Sequence, residues 1–208
     1  MKGLFLGLLL MFGLNLSADL VKDGLKMYKN SDYKGASAVW KQACDSGDIN
    51  GCYNLAHIYA NGKGVRHDYK KAARLYKITC DAGHTDGCSN LGVILENGVG
   101  VKTDYYRAAR LYAKACNAGD TNGCYNLGVM YYKGRGVRKD YRIAREIYQD
   151  TCDKGSIAGC YYLGEMYRRG KGAHEDKSRA KRLYARACNL GSSSACSKYR
   201  RLDEDGVR

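Results

Sequence analysis

The chain has 208 residues, a net charge of +14, ten cysteines and no proline. The charge predicts acidic partners, and the absence of proline suits uninterrupted helices. After residue 18 no apolar stretch is long enough for a bilayer span of about 20 residues, which excludes an integral membrane protein once a leader is removed.

Residues 1–18 read as a secretory signal peptide. Lys2 supplies the positive start, Leu4 to Leu14 the apolar core, and Asn15 to Asp19 the polar shift, with cleavage expected after Ala18. The mature chain is therefore expected to be secreted or periplasmic. A first unit, residues 19–44, lacks the glycine loop seen later and is about four residues shorter than its successors. From Cys44 onward the chain is periodic. Cys44, Cys80, Cys116, Cys152 and Cys188 form one series of period 36, and Cys52, Cys88, Cys124, Cys160 and Cys196 a second. The units are 45–80, 81–116, 117–152 and 153–188, and residues 189–208 form a C-terminal cap. A strict period of this length predicts an all-α solenoid of helical hairpins, a right-handed superhelix in which each unit buries its apolar face against its neighbours.

Each unit reads as helix, loop, helix. Cys52, Leu55, Ala56 and Tyr59 share one face of the first helix. Gly62 and Gly64 are expected to end it, and Asp68 stands as N-cap of the second helix, a structural role shared by Asp32, Asp104, Asp140 and Asp176. Ala72, Ala73, Leu75, Tyr76 and Thr79 form the inward face of the second helix, which Gly83 and its equivalents terminate.

Two cysteine pairings suit such a stack. Joining the two ends of one hairpin (Cys52 to Cys80) strands Cys44 and Cys196. Joining the end of one hairpin to the start of the next uses all ten, which an exported protein favours. The expected bridges are Cys44–Cys52, Cys80–Cys88, Cys116–Cys124, Cys152–Cys160 and Cys188–Cys196. No Cys-x-x-Cys occurs, and His57, His67, His84 and His174 lack ligand spacing. Neither a metal nor any other cofactor is expected.

The segments from Cys88 to Asp104 and from Cys124 to Asp140, each carrying Asn-Leu-Gly-Val and a Gly-x-Gly loop, resemble Sel-one-like repeats, relatives of the tetratricopeptide repeat. With Cys-x7-Cys at every junction, residues 19–208 resemble the Helicobacter cysteine-rich protein family. The resemblance implies a scaffold for protein or peptide binding. It also implies, as an alternative, a penicillin-binding protein with weak β-lactamase activity. Ser31/Lys34 and Ser178/Lys181 have the Ser-x-x-Lys spacing of serine β-lactamases. No Ser-Asp-Asn or Lys-Thr-Gly follows, so no catalytic residue is assigned.

The binding reading has its own candidates. Asn54, Asn90 and Asn126 recur opposite the apolar face of the first helices, and Tyr162 continues the series. Seven residues on come Asn61, Asn97, Lys133 and Arg169. The resemblance to tetratricopeptide repeats places these positions in a concave groove. There, amides can both donate to and accept from the backbone of a peptide or protein segment, and Lys133 and Arg169 favour an acidic one. Equally, the asparagines can bond between adjacent units. The basic residues of the second helices, among them Lys70, Lys71, Arg74, Arg110, Arg145 and Arg182, read as a solvated face and not as a nucleic-acid surface. Anionic cell-envelope components remain a further class of partner.

Overall fold

The computed structural model describes residues 19–207. The expected leader, residues 1–18, lies outside the described residues, as does Arg208. Among the described residues there are eleven helices and no strand. They fall into two units, divided after Thr103. The first holds α1 (19–29), α2 (Tyr33–Asp45), α3 (Ile49–Asn61), α4 (Tyr69–Asp81) and α5 (Thr85–Asn97). The second holds α6 (Tyr105–Asn117), α7 (Thr121–Lys133), α8 (Tyr141–Asp153), α9 (Ile157–Arg168), α10 (Lys177–Asn189) and α11 (Ser193–Glu204). Odd-numbered helices are here called A and even-numbered helices B.

Cap chemistry sets the B-helix starts. Asp32, Asp68, Asp104, Asp140 and Asp176 each accept from a backbone N–H of the first turn, satisfying a donor that the helix itself leaves unpaired. Asp48, Asp120, Ser156 and Ser192 do the same for A helices. At α5 His84 takes the position without a side-chain cap bond. It stacks on Tyr53 instead, with ring centroids 4.3 Å apart.

Packing within each unit follows from small residues. Tyr76, Tyr148 and Tyr184 are buried on B helices beside buried alanines. Tyr148 lies over Gly128 and Tyr184 over Gly164, where a Cβ would meet the ring at 2.5 and 2.9 Å. On α2 Trp40 takes the tyrosine's place and its Nε1 donates to the Val21 carbonyl. The apolar stripe of the A helices is wider than the sequence face Cys52, Leu55, Ala56 and Tyr59 suggests. Ile58, Ile94, Met130 and Met166 are also buried, whereas Tyr59 is only half-buried. α3, α7 and α9 each pack against the helix before and the helix after, which covers two sides of each.

The Gly-x-Gly loop divides its labour differently from the expectation that both glycines end a helix. Gly62, Gly98 and Gly134 are left-handed C-caps. The second glycine abuts the start of the preceding B helix in the same unit. A Cβ on Gly64 would lie 2.8 Å from the Lys34 nitrogen, and one on Gly136 2.1 Å from the Tyr105 oxygen. Arg145, expected on the solvated face, is half-buried, and its Nη1 donates to the Gly172 carbonyl at 2.9 Å. This backbone acceptor, 27 residues away, draws it out of solvent.

Disulfides join Cys44–Cys52, Cys80–Cys88, Cys116–Cys124, Cys152–Cys160 and Cys188–Cys196. Each links a B helix to the next A helix with Cα atoms only 4.4–4.6 Å apart. At the Cys44–Cys52, Cys80–Cys88 and Cys152–Cys160 bridges the glycine before the second cysteine gives the helices room to approach. A Cβ on Gly87 would sit 2.1 Å from Thr79 Oγ1, and one on Gly159 2.7 Å from the Cys152 nitrogen.

Candidate functional site

The A helices of the second unit build a pocket of about 210 Å³. Tyr125, Val129, Tyr132 and Lys133 enter it from α7, spaced i, i+4, i+7 and i+8 on one helix face. From the α9 segment come Tyr162, Glu165, Met166 and Arg169, and Tyr148 of α8 closes the floor. The rings pack on one another. Tyr125 and Tyr162 have centroids 5.0 Å apart, with hydroxyls at 3.2 Å, and Tyr148 stacks on Tyr162 at 5.7 Å. Burial, and then the neighbouring tyrosines, push the Tyr148 hydroxyl above its ordinary range, so it stays neutral.

Glu165 is the acidic residue of this pocket, and its charge is compensated on every side. Arg168 Nη2 and Arg169 Nε lie 3.0 Å from Oε2, and Lys198 Nζ lies 3.3 Å from Oε1. The Tyr184 hydroxyl donates to Oε1 at 2.6 Å. Burial opposes the charged form. Hydrogen bonds from Arg168 and Tyr184, with the charges of Arg168 and Lys198, overcome it and hold the carboxyl down to about 2. Its folded value thus lies below the ordinary 4.5. The stability it contributes is present above pH 4.5 and is lost as the pH falls toward 2. Glu165→Gln is expected to destabilise the protein by about 2 kcal/mol at pH 7, allowing for screening at the open edge. Urea melts should show the gap to wild type closing between pH 5 and pH 2, and a gap independent of pH would contradict this account.

Of the eight positions singled out from sequence, Lys133, Tyr162 and Arg169 converge on this pocket. Asn126 is half-buried on α7 outside the lining. In the first unit Asn54 and Asn90 are half-buried on A helices. Asn90 Nδ2 donates to the Tyr53 hydroxyl at 3.4 Å, the bond between adjacent hairpins that the sequence left as the other possibility. Asn61 Nδ2 donates to the His57 carbonyl of its own helix at 2.8 Å, and Asn97 is exposed.

Sequence reasoning missed Tyr125, Tyr132, Tyr148 and Glu165. A usable signal existed for Glu165, since its register position holds His57, Val93 and Val129 elsewhere. Of the Ser-x-x-Lys pairs, Lys181 is engaged by Asp203 Oδ1 at 2.7 Å and by the Val207 carbonyl. These two acceptors occupy the Lys181 ammonium, and neither of them is Ser178. Ser31 is exposed, with φ 65°, in the turn between α1 and α2. No group of three or more His, Cys, Asp or Glu residues that could hold a metal occurs among the described residues. No helix among them is long and apolar enough to cross a membrane. Five disulfides belong to a chain folded outside the reducing cytosol.

Comparison with known proteins agrees with this architecture. The Sel1 repeat profile matches residues 49–84, 85–120, 121–156 and 157–192. HcpC of Helicobacter pylori, whose name proposes it as a β-lactamase, is 40% identical over 65 residues, 30% of this chain and 22% of that protein. The chain therefore aligns with about a fifth of that relative. Among solved structures, c5321 is a protective antigen of uropathogenic Escherichia coli strains with an SLR fold. It superposes with a TM-score of 0.83 at 27% identity, covering 93% of this chain and 42% of that one. A Sel1 repeat protein from Oxalobacter formigenes gives 0.80 at 27% identity, covering 86% and 73%. Helicobacter pylori cysteine-rich protein B gives 0.51 at 31% identity, covering 63% and 94%. Repeats of this kind commonly serve as protein-binding scaffolds. With four consecutive matching repeats and a disulfide at every hairpin junction, the chain belongs to the Sel1 repeat family, in its Helicobacter-type cysteine-rich branch.

Proposed function

We propose that this protein is an exported scaffold that captures a peptide or protein segment on the A-helix face of its second unit. The observation that carries the reading is the open pocket where Tyr125, Tyr132 and Tyr162 meet Lys133 and Arg169. Tyrosine and arginine are the residue types that dominate binding energy at interfaces, because they offer large contact area and directed polar groups together. Tyr125 and Tyr162 are already packed on each other and so lose little freedom when a partner covers them. The leader-like residues 1–18 and the five bridges support export. In this reading the asparagines are auxiliary, because Asn90 is already engaged between hairpins.

Display of random peptides against the immobilised, oxidised protein is the direct test. Selected peptides are expected to lose at least about tenfold in affinity, 1.4 kcal/mol, on Tyr132→Ala/Lys133→Ala, with the melting temperature little changed. Asn126→Ala should have a smaller effect. A selection that yields no binder, or binders indifferent to the double variant, would refute the reading.

A further inference from the structure

We infer that the pocket of the second unit recognises an acidic segment anchored by one aromatic side chain, the ring seated among the tyrosines and flanking Asp or Glu side chains held by Lys133 and Arg169. The inference rests on the scaffold reading and specifies its ligand.

Size comes first. At about 210 Å³ the pocket falls below the roughly 300–1,000 Å³ usual for small-molecule sites, and suits a single inserted side chain. The lining then selects the type of side chain. Val129 and Met166 supply apolar contact, and the rings of Tyr125 and Tyr162 offer faces and edges for another aromatic ring. Methionine sulfur beside an aromatic ring is likewise favourable.

Charge selects what lies beside the ring. Lys133 and Arg169 occupy the same register in consecutive A helices and line one pocket. Glu165 offsets them only in part, because its carboxylate is shared among Arg168, Arg169, Lys198 and the Tyr184 hydroxyl. Arg169 meets it through Nε at 3.0 Å while its side chain stays exposed, so an incoming carboxylate can approach the guanidinium from solvent. The C-terminal helix ends here disfavour an anion only weakly and are offset by the two cations. A net charge of +14 favours a segment with several carboxylates over a single chain terminus, and adds attraction at a distance.

The test uses full-length oxidised protein and a C-terminally amidated peptide, Gly-Ser-Glu-Asp-Phe-Glu-Asp-Ser-Gly, labelled with a tetramethylrhodamine of no net charge and read by polarisation. Replacing its Phe by Ala, or its four acids by Gln and Asn, should each weaken binding at least tenfold. Raising salt from 50 to 500 mM should weaken the parent peptide and leave the neutral one unaffected. In the protein, Tyr162→Ala should abolish the preference for Phe, and Lys133→Ala/Arg169→Ala the preference for acids. A neutral peptide ending in Phe with a free carboxylate tests the chain terminus as the anion, and its binding as tightly as the acidic peptide would overturn the inference. So would equal binding of the Ala or neutral peptides, or variants that discriminate as wild type does. If display yields binders without the acidic-aromatic signature, this inference falls and the scaffold reading stands. If no peptide of any composition binds, both fall.

Discussion

Reduction of the five disulfides is expected to lower the melting temperature by more than about 20 °C and to leave the chain largely unfolded at 37 °C. Each bridge closes a loop between cysteines eight positions apart. Constraining such a loop in the unfolded chain contributes roughly 2–3 kcal/mol on the chain-entropy account. Five together rival the whole stability of an ordinary domain, about 5–15 kcal/mol. Position should matter as much as number, because in a repeat protein each hairpin is held only by its neighbours. Removing Cys152–Cys160 by paired alanine substitution severs α8 from α9 inside the second unit, and should broaden or split the transition. Removing Cys188–Cys196 releases only α11, and should lower the midpoint by less. Circular dichroism melts with and without phosphine reductant measure the first effect. A reduced protein melting within 5 °C of the oxidised one would show that helix packing alone suffices.

Gly136→Ala is expected to destabilise the protein by at least about 3 kcal/mol, combining left-handed backbone strain with steric overlap. Its φ is 68°, and a Cβ there would lie 2.1 Å from the Tyr105 oxygen and 2.2 Å from its carbonyl carbon. Those atoms belong to the start of α6 and cannot swing aside as a side-chain tip can. Gly119 supplies the control. Its φ is 92°, yet nothing lies within 4 Å of its Cβ position. Gly119→Ala should therefore cost only the backbone term, about 1–2 kcal/mol. Urea unfolding of the two variants separates conformational strain from close approach. Equal losses would mean that the second loop glycine is there for its backbone angle alone.

The asparagine series shows where reading by register stops. Register gives Asn54, Asn90 and Asn126 equivalent A-helix positions, and all three are half-buried, but equivalence of position is not equivalence of surroundings. Beside Asn90 the preceding hairpin offers the Tyr53 hydroxyl. Beside Asn126, Tyr125 packs with Tyr162, the residue that replaces asparagine in the next repeat. The tyrosine-rich pocket arises where the repeat departs from its own pattern.

The helical hairpins, their limits and the small-residue faces were legible in the amino-acid sequence because they follow from local rules. Aspartate and glycine act on the backbone within a turn of their own position, and apolar spacing reports the helical period directly. What only the tertiary structure decided depends on side chains about one repeat apart. Asn90 meets Tyr53, and Tyr125 meets Tyr162, each across 37 residues. Glu165 finds Tyr184 and Lys198 from the two helices that follow, and Gly136 reaches the start of α6. These contacts depend on the offset and crossing of neighbouring helices, which the packing of Tyr on Gly and Thr on Gly constrains. A period of 36 announces that neighbours meet; the stacking offset determines which atoms do.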